Sequence, residues 1–212
     1  STSQGFFRAT TADVESFRKD GFLVAKGLLS EPEVVLMRRA LETDTSLVEN
    51  EIVLNDDAKG QTKLALWSNP GDGTIGMFTR SKRVVQTMEA LLGGPVVHYH
   101  SKSLVKYPEA GGVWNWHQDY GYWYKDFFLL PAMATAYLAI DPQNERLNNG
   151  CLRLLRGSNE LGRIEHWSKG DQQGADLERV ELAKERYEEV CAELVPGDCV
   201  FFSALTLHAS QG

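Results

Sequence analysis

The amino-acid sequence predicts an α+β protein in which helices flank an antiparallel β-sandwich or barrel. Segments with helical spacing of apolar residues come first, and strand-like segments separated by turn residues follow. The regular alternation of strands and helices that is typical of a parallel sheet is missing. The 212 residues, 42% of them hydrophobic, are expected to form a single domain with a full core.

Start and stop signals delimit four predicted helices. Ser30 is placed to cap the second helix, and Glu33 closes a capping box. Glycines follow the first and third helices, where they are favoured as C-terminal caps. The predicted helices are residues 11–20, a segment that begins after Ser30, residues 81–92 and residues 176–191.

Strand-like segments dominate the second half of the chain. Apolar and polar residues alternate between residues 97 and 106, which predicts a strand with two different faces. A turn at Asn148-Asn149-Gly150 precedes another strand, and residues 157–175 are predicted to be loop. The predicted strands are residues 22–25, 63–67, 97–106, 132–140, 151–155 and 199–202, with 205–210 as the last ordered segment.

Charge and composition limit the classes of partner. A net charge of −7 and a pI near 5.3 argue against nucleic acid and anionic membranes, and no apolar run approaches the length of a membrane span. The three cysteines lack the spacing of a metal site, which favours a reducing, cytoplasmic setting. The charge does not argue against a small-molecule partner, which local basic residues could still bind even if it is anionic, and the oligomeric state is not indicated.

An aromatic-rich segment, V-W-N-W-H-Q-D-Y-G-Y-W-Y at residues 113–124, carries the clearest candidate chemistry. In a strand, His117 and Asp119 point to one side while Gln118 points to the other. His208, which follows a predicted apolar strand, is the best third ligand. Two imidazoles and one carboxylate form the triad that holds Fe(II) and leaves open positions. The alternative for His117 is a simple hydrogen-bonded pair with Asp119, because H-x-D also occurs by chance.

Further motifs follow in a fixed order: H-Q-D, N-G-C-L, R-G-S, P-G-D and L-H-x-S. Between residues 21 and 210 this set resembles the phytanoyl-CoA dioxygenase family, in particular its branch of phytanoyl-CoA dioxygenase domain-containing proteins. The resemblance implies a double-stranded β-helix, a jelly-roll or cupin-like barrel. It also implies hydroxylation with Fe(II), 2-oxoglutarate and O2, releasing succinate and CO2. Asp119 favours hydroxylation, since halogenating relatives have a small residue there.

The same resemblance suggests residues for the co-substrate. Ser210 matches a serine that assists binding of the distal carboxylate of 2-oxoglutarate. The arginine that anchors this carboxylate in the family has no counterpart before Gly212, so the chain is expected to lack the closing C-terminal strand and tail. His100, Lys102 and Thr135 are placed to contact the co-substrate, although a second polar layer or ordinary barrel packing explains them equally well.

Candidate substrate residues come from the aromatic segment and two loops. Trp116, Tyr122 and Tyr124 are placed to form a wall of the pocket, but aromatic residues also fill cores. Arg163 offers a charge to an anionic substrate, and Asn69 lies in a long loop that covers the site in the family.

Two alternatives to an oxygenase remain at this point. One is a cupin-like metal-binding protein, or another metalloenzyme without 2-oxoglutarate turnover. The other is a structural jelly-roll module that binds no metal. For an oxygenase, a small polar or zwitterionic metabolite is favoured over an acyl-CoA, because no basic cluster suited to CoA phosphates is evident.

Overall fold

A computed structural model describes residues 7–55, 60–106, 112–147, 149–169 and 171–210. Within these ranges the chain forms helices and antiparallel sheets, which confirms the α+β prediction. The α-helices are α1 (Thr11–Asp20), α2 (Glu31–Thr43), α3 (Thr45–Glu49), α4 (Thr74–Thr79), α5 (Lys82–Leu92), α6 (Asp119–Trp123) and α7 (Leu177–Arg186). The strands are β1 (Phe22–Ala25), β2 (Ile52–Asn55), β3 (Gln61–Trp67), β4 (Ser101–Lys106), β5 (Trp114–His117), β6 (Ala134–Leu138), β7 (Leu152–Leu155), β8 (His166–Lys169), β9 (Gln172–Ala175), β10 (Glu189–Cys191), β11 (Cys199–Ser203) and β12 (His208–Ser210).

Two of the sheets pack against each other as a sandwich. One has the strand order β1-β11-β6 and the other the order β10-β7-β12-β5. A third sheet, β2-β3-β4, and a hairpin of β8 and β9 complete the described strands. All strand pairs in these sheets are antiparallel.

Strand β11 shows how the sequence specifies two layers of core. Val200 and Phe202 pack against the second sheet, where Leu154 is fully buried. Cys199 and Phe201, which alternate with them, pack against the helical layer that contains α1 and α5. Because successive side chains on a strand face opposite ways, an unbroken apolar run fits a strand covered on both sides.

Several local predictions are confirmed. Helix α1 and strand β1 have the predicted bounds, residues 11–20 and 22–25. The carboxylate of Glu33 accepts a 2.8 Å hydrogen bond from the Ser30 backbone N–H, which forms the expected capping box. Helix α5 occupies nearly the predicted range of residues 81–92, and the hydroxyl of Ser81, which was not predicted as a cap, accepts a hydrogen bond from the backbone N–H of Val84.

Other predictions were wrong about element type. The helix predicted for residues 176–191 ends at Arg186, and the remaining residues form β10, which pairs with the edge of β7. Residues 157–175, predicted to be loop, contain β8 and β9. The strand predicted from residue 97 begins only at Ser101. In each case, pairing with a distant or polar partner decides the structure, and local periodicity does not report such pairing.

The cysteines also differ from expectation. Cys151 and Cys191, which were expected to be reduced, form a disulfide, whereas Cys199 is buried and free. The pairing of β7 with β10 places Cys191 opposite Arg153 and brings the two bonded cysteines to a Cα separation of 6.2 Å. None of the described helices is long and apolar enough to cross a membrane.

Candidate metal centre

His117 and His208 lie opposite each other on the antiparallel strands β5 and β12. Their ring centroids are 4.0 Å apart, and both side chains are almost completely buried. Asp119 follows two residues after His117, at the first position of α6, and is buried as well. Strand pairing therefore joins ligands that are distant in the sequence, and the start of a helix adds the third.

The three side chains converge on one point. The Nε2 atom of His117 lies 3.7 Å from Oδ1 of Asp119, and Nε2 of His208 lies 3.8 Å from the same oxygen. All three candidate ligand atoms lie within 4.8 Å of one another. These distances are too long for hydrogen bonds but suit ligands that share one ion, since each ligand atom sits about 2.0–2.2 Å from such a metal.

Hydrogen bonds fix the orientation of both imidazoles. Nδ1 of His117 lies 2.7 Å from the carbonyl oxygen of Asn115, and Nδ1 of His208 lies 2.9 Å from that of Thr206. Each Nδ1–H therefore donates to a carbonyl two residues earlier and leaves the Nε2 lone pair available. The Nε2 atom of His117 is buried and has no hydrogen-bond partner among the described residues. A metal ion satisfies such an atom.

The carboxylate of Asp119 is held ionised. Burial raises the pKa of Asp119. The positive charge of Lys102, the neighbouring His208 and His117 and the hydrogen bond from Thr135 lower it more strongly, so that the pKa is about 2. Thr135 donates a 2.6 Å hydrogen bond to Oδ2, so Oδ1 faces the imidazoles. Asp119 therefore presents a negatively charged oxygen at neutral pH.

Both imidazoles are held neutral. Burial lowers the pKa of His117 well below its ordinary value, and the neighbouring His208 lowers it further. Burial likewise lowers the pKa of His208, although the charge of Asp119 opposes this effect. Two neutral imidazoles and one carboxylate are the donor set that holds Fe(II) in non-haem oxygenases. The residues present therefore fit iron.

Gln118 links the two ligand-bearing segments, a role that the sequence analysis missed. Its side-chain amide donates 2.7 Å hydrogen bonds to the carbonyls of Gly162 and Leu205 and accepts one from the N–H of Ile164. Leu205 lies in the turn that leads to His208. The predicted alternation is observed, since Gln118 points away from the metal ligands.

His166 supports the same segment from the side of β8. Its Nε2 accepts a 2.9 Å hydrogen bond from the backbone N–H of Gln118, and its Nδ1 donates to the carbonyl of Ile164. Gly121 lies against this ring so closely that an added Cβ would come 2.0 Å from Cε1 of His166. Glycine is therefore required at position 121 for the helical turn of α6 to approach β8.

The four predicted co-substrate residues differ in their contacts with the triad. Lys102 is half-buried, with Nζ 5.7 Å from the centre of the Trp114 ring, and its charge acts on Asp119. His100 is half-buried beside Trp123, 5.6 Å away between ring centroids. Thr135 touches Asp119 directly, as described above. Ser210 accepts a 2.8 Å hydrogen bond from Nζ of Lys106, a residue that the sequence analysis did not single out.

Of the predicted substrate residues, Tyr122 lies closest to the metal ligands. Its ring centroid is 5.3 Å from that of His117, and its hydroxyl donates a 2.6 Å hydrogen bond to the carbonyl of Gln173. Tyr124 is nearly half exposed, and the guanidinium of Arg163 stacks 4.4 Å from its ring centre. Arg163 is also paired with Glu165 at 2.8 Å.

The other two predicted substrate residues, Trp116 and Asn69, make the contacts described next, and these do not involve the triad. Trp116 precedes His117 on β5 and faces the opposite side, where Lys184 lies 5.4 Å from its ring centre. There it lines an open cavity of about 790 Å³ that none of the three metal ligands lines. The side chain of Asn69 accepts a hydrogen bond from the N–H of Gly71 and so stabilises a turn.

Comparison with known proteins identifies the family. Residues 17–212 match the sequence profile described as phytanoyl-CoA dioxygenase (PhyH). The chain belongs to the phytanoyl-CoA dioxygenase family. It is 28% identical to an L-proline trans-4-hydroxylase of Streptomyces griseoviridis, covering 92% of this chain and 78% of that protein. It is 24% identical to an ectoine dioxygenase of Bordetella bronchiseptica, covering 97% and 71%.

Solved structures of similar fold include the non-heme α-ketoglutarate-dependent carbocyclase SnoK from nogalamycin biosynthesis. It has a TM-score of 0.79 and 21% identity, and the match covers 98% of this chain and 81% of that one. EctD from S. alaskensis, solved with 2-oxoglutarate and 5-hydroxyectoine, has a TM-score of 0.76 and 17% identity, covering 96% and 71%. These similarities confirm the double-stranded β-helix.

Membership of the phytanoyl-CoA dioxygenase family, together with relatives named as hydroxylating dioxygenases, establishes the reaction class. The protein is a non-haem dioxygenase that uses Fe(II), 2-oxoglutarate and O2 to hydroxylate a small organic substrate. The alternatives of a metal-binding barrel without turnover and of a purely structural module are not supported by these relatives.

Proposed function

We propose that the protein hydroxylates a small zwitterionic metabolite at an iron centre held by His117, Asp119 and His208. The convergence of three buried ligand atoms within 4.8 Å is the observation that carries this proposal. Bound Fe(II), with 2-oxoglutarate and O2, supplies the oxidising chemistry that converts a C–H bond to an alcohol while the keto acid leaves as succinate and CO2. The open side of a three-ligand centre leaves room for the co-substrates.

The protein contributes orientation, charge and exclusion of water. The carbonyls of Asn115 and Thr206 fix the two imidazoles, so neither ring needs to rotate when the metal binds. Thr135 holds one carboxylate oxygen of Asp119, so the other faces the imidazoles. Burial of all three ligands keeps bulk water from competing for their lone pairs.

For 2-oxoglutarate we assign Lys102 and His100 to the region beside the metal and Ser210 to the region of the distal carboxylate. Lys102 already acts electrostatically on the triad, so its ammonium also attracts a keto acid bound there. His100, two residues before Lys102 in the sequence, borders Trp123. Thr135 acts through Asp119 and contributes to the co-substrate site indirectly.

The substrate class rests on the aromatic wall and on the relatives. Tyr122 forms the wall next to His117. Tyr124 stacks with the guanidinium of Arg163, which also pairs with Glu165. The names of two relatives contain L-proline and ectoine, which are small ring compounds that carry a carboxylate. The positions of Trp116 and Asn69 favour a supporting role for both, in packing and in a turn.

We further propose that the chain acts as one catalytic domain in the cytoplasm. The two main sheets share a single core, which supports one domain. The Cys151–Cys191 bond is the observation that weighs against a cytoplasmic location, because cytosolic thiols are usually kept reduced.

The proposal is tested by substrate-stimulated release of succinate from 2-oxoglutarate with Fe(II). A panel of small amino acids and cyclic zwitterions is expected to contain compounds that increase the rate above the uncoupled background. Asp119→Ala is expected to abolish the reaction and stoichiometric iron binding together. Asp141→Ala is the matched control, since Asp141 is exposed and pairs with Arg38 on the surface. Equal activity in the Asp119 variant would contradict the proposed centre.

A further inference from the structure

His166 is a buried histidine outside the metal triad. It is only 1% exposed and occupies the first position of β8. Its Nε2 atom lies 2.9 Å from the backbone nitrogen of Gln118, and its Nδ1 atom lies 2.9 Å from the carbonyl oxygen of Ile164. A backbone N–H can only donate, so Nε2 accepts from Gln118 and the proton on Nδ1 is donated to Ile164. Both ring nitrogens are therefore engaged, one as acceptor and one as donor.

Gln118 is the single residue between strand β5, which ends at His117, and helix α6, which begins at Asp119. Its N–H belongs to the peptide that joins it to His117, and the residue is completely buried. A buried backbone N–H needs an acceptor, and His166 supplies it where the strand ends. The bond therefore holds the peptide that lies between two metal ligands.

Three hydrogen bonds form a closed cycle around this peptide. The N–H of Gln118 donates to His166, and the Nδ1–H of His166 donates to the carbonyl of Ile164. The N–H of Ile164 in turn donates a 2.7 Å hydrogen bond to the side-chain oxygen of Gln118. Because every member both donates and accepts, a change in one disturbs both of its neighbours.

The ring of His166 also packs against the chain that follows Asp119. The tight approach of Gly121 to this ring leaves no room for a Cβ atom. The ring centroid of Tyr122 is 5.4 Å from that of His166 and 5.3 Å from that of His117. His166 thus contacts the ligand-bearing segment both before and after Asp119.

We propose that His166 is a positioning residue that sets the separation and direction of the ligand atoms of His117 and Asp119. The inference rests on the proposed function, since it requires that these two residues hold iron. Their ligand atoms lie 3.7 Å apart, and only Gln118 separates the two residues, so a rotation of the Gln118 peptide moves one ligand relative to the other. Groups that orient metal ligands typically change metal affinity by about 10- to 100-fold when they are replaced.

The test replaces His166 with two amides that keep different parts of its bonding. Asparagine places an amide nitrogen where Nδ1 lies, so His166→Asn still donates to Ile164 but does not reach Gln118. Glutamine places an amide oxygen where Nε2 lies, so His166→Gln still accepts from the Gln118 N–H. Competition with a chromogenic chelator measures Fe(II) affinity. The visible absorption spectrum of the Co(II)-loaded protein reports the geometry of the ligands.

His166→Asn is expected to weaken Fe(II) binding by about 10- to 100-fold and to change the Co(II) spectrum. His166→Gln is expected to keep the spectrum and to retain the affinity to within about threefold. Both variants lose the packing of the ring, so a purely structural role predicts similar effects in the two. His98→Asn is the matched control and should change neither measurement, since His98 bonds to the Ser68 carbonyl and the Ser101 hydroxyl.

Gly121→Ala tests the packing contact independently. The added methyl group would lie 2.0 Å from Cε1 of His166 and displace the ring, so Fe(II) binding is expected to weaken. Most of this loss should disappear in the His166→Gln background, because the glutamine side chain is flexible and can move away from the methyl group.

Three results would overturn the inference. They are unchanged Fe(II) affinity and Co(II) spectrum in folded His166→Asn, equal loss of affinity in the two His166 variants, and equal loss in His98→Asn. If His166→Asn does not fold, Gly121→Ala decides the question, and unchanged Fe(II) affinity there would overturn the inference. If the wild-type protein binds no iron, the proposed function itself fails, and this outcome is distinct from iron binding that does not depend on His166.

Discussion

Thr135 reaches from one sheet of the sandwich to the other and donates a 2.6 Å hydrogen bond to Oδ2 of Asp119. Thr135 lies on β6, whereas Asp119 follows β5 of the facing sheet. The orientation of one metal ligand therefore depends on the packing of the two sheets.

Replacing Thr135 with valine removes the hydroxyl and keeps the side-chain shape. Because Oδ2 of Asp119 loses its donor, the affinity for Fe(II) is expected to fall by about 10- to 100-fold. Competition with a chromogenic chelator measures this change. Thr87→Val is the control, since the Thr87 hydroxyl is also part-buried but donates to the carbonyl of Arg83 within α5. Unchanged iron affinity in folded Thr135→Val would contradict the assigned role.

His208→Ala is expected to abolish stoichiometric iron binding and to lower succinate release by at least about 100-fold. The variant loses one of three ligands, and the remaining His117 and Asp119 are too few to hold Fe(II). Metal analysis after gel filtration and circular dichroism separate loss of metal from loss of fold. His98→Ala is the control, because His98 bonds to Ser68 and Ser101 near the surface. Full metal content in His208→Ala would exclude the triad.

Gln118→Met is expected to lower the free energy of unfolding by about 3–5 kcal/mol. The substitution leaves the carbonyls of Gly162 and Leu205 and the N–H of Ile164 without their side-chain partner in a buried region. Urea unfolding of the metal-free protein measures the difference. Gln86→Met on the exposed side of α5 should change it by less than about 0.5 kcal/mol. A loss below about 1 kcal/mol in Gln118→Met would show that water replaces these bonds.

The stability of the protein should depend on Glu33 in acid. The hydrogen bond from Arg83 lowers the pKa of Glu33 from 4.5 to about 2, although burial opposes this effect. Because the folded-state pKa is the lower one, the stabilisation is present above pH 4.5 and is lost as the pH falls toward 2. Since 34% of the Glu33 side chain is exposed, solvent screening reduces the contribution to about 1 kcal/mol.

Unfolding curves between pH 6 and pH 3 measure this effect. Glu33→Gln is expected to be less stable than the wild type at pH 6, and the difference should shrink at pH 3. Glu31→Gln, at an exposed position in the same helical turn, is the control and should show little difference at either pH. A difference that is constant with pH would assign the loss to shape rather than charge.

Alkylation in denaturant should distinguish the cysteines. Without reductant, one cysteine, Cys199, is expected to react, and with reductant all three should react. Breaking the Cys151–Cys191 bond, which closes a separation of 40 residues, should lower stability by about 2–4 kcal/mol. Mass spectrometry and thermal unfolding check the two parts. Three alkylated cysteines without reductant would show that the bond is absent in solution and would remove the objection to a cytoplasmic location.

The sequence was sufficient for features that depend on local chemistry. Glu33 and Ser81 mark the starts of helices because their side chains accept hydrogen bonds from nearby backbone N–H groups. The glycine after α1 marks the end of that helix because it adopts the left-handed conformation. His117 and His208 could be proposed as ligands because each follows an apolar, strand-like segment. Their facing register was not predictable, since it depends on strand order in the folded sheet.

Features that depend on distant partners could not be predicted. Val190 lies at the end of a helix-like, charged segment, yet it forms a strand because the edge of β7 offers backbone hydrogen bonds. Gln172 buries its amide by bonding to Asn115 and Val113, which stabilises a polar strand without apolar alternation. The contact between Lys106 and Ser210 similarly joins two polar side chains whose strands are far apart in the sequence.

The carbonyls of Asn115 and Thr206 set the imidazole directions before any ion arrives, and this has a consequence for metal choice. A cage that is already formed does not adjust its shape to distinguish between ions of similar size. Cobalt, nickel and zinc bind nitrogen and oxygen donors more strongly than Fe(II) does. The cell's relative supply of these ions, rather than the cage, would then decide how much of the protein carries iron.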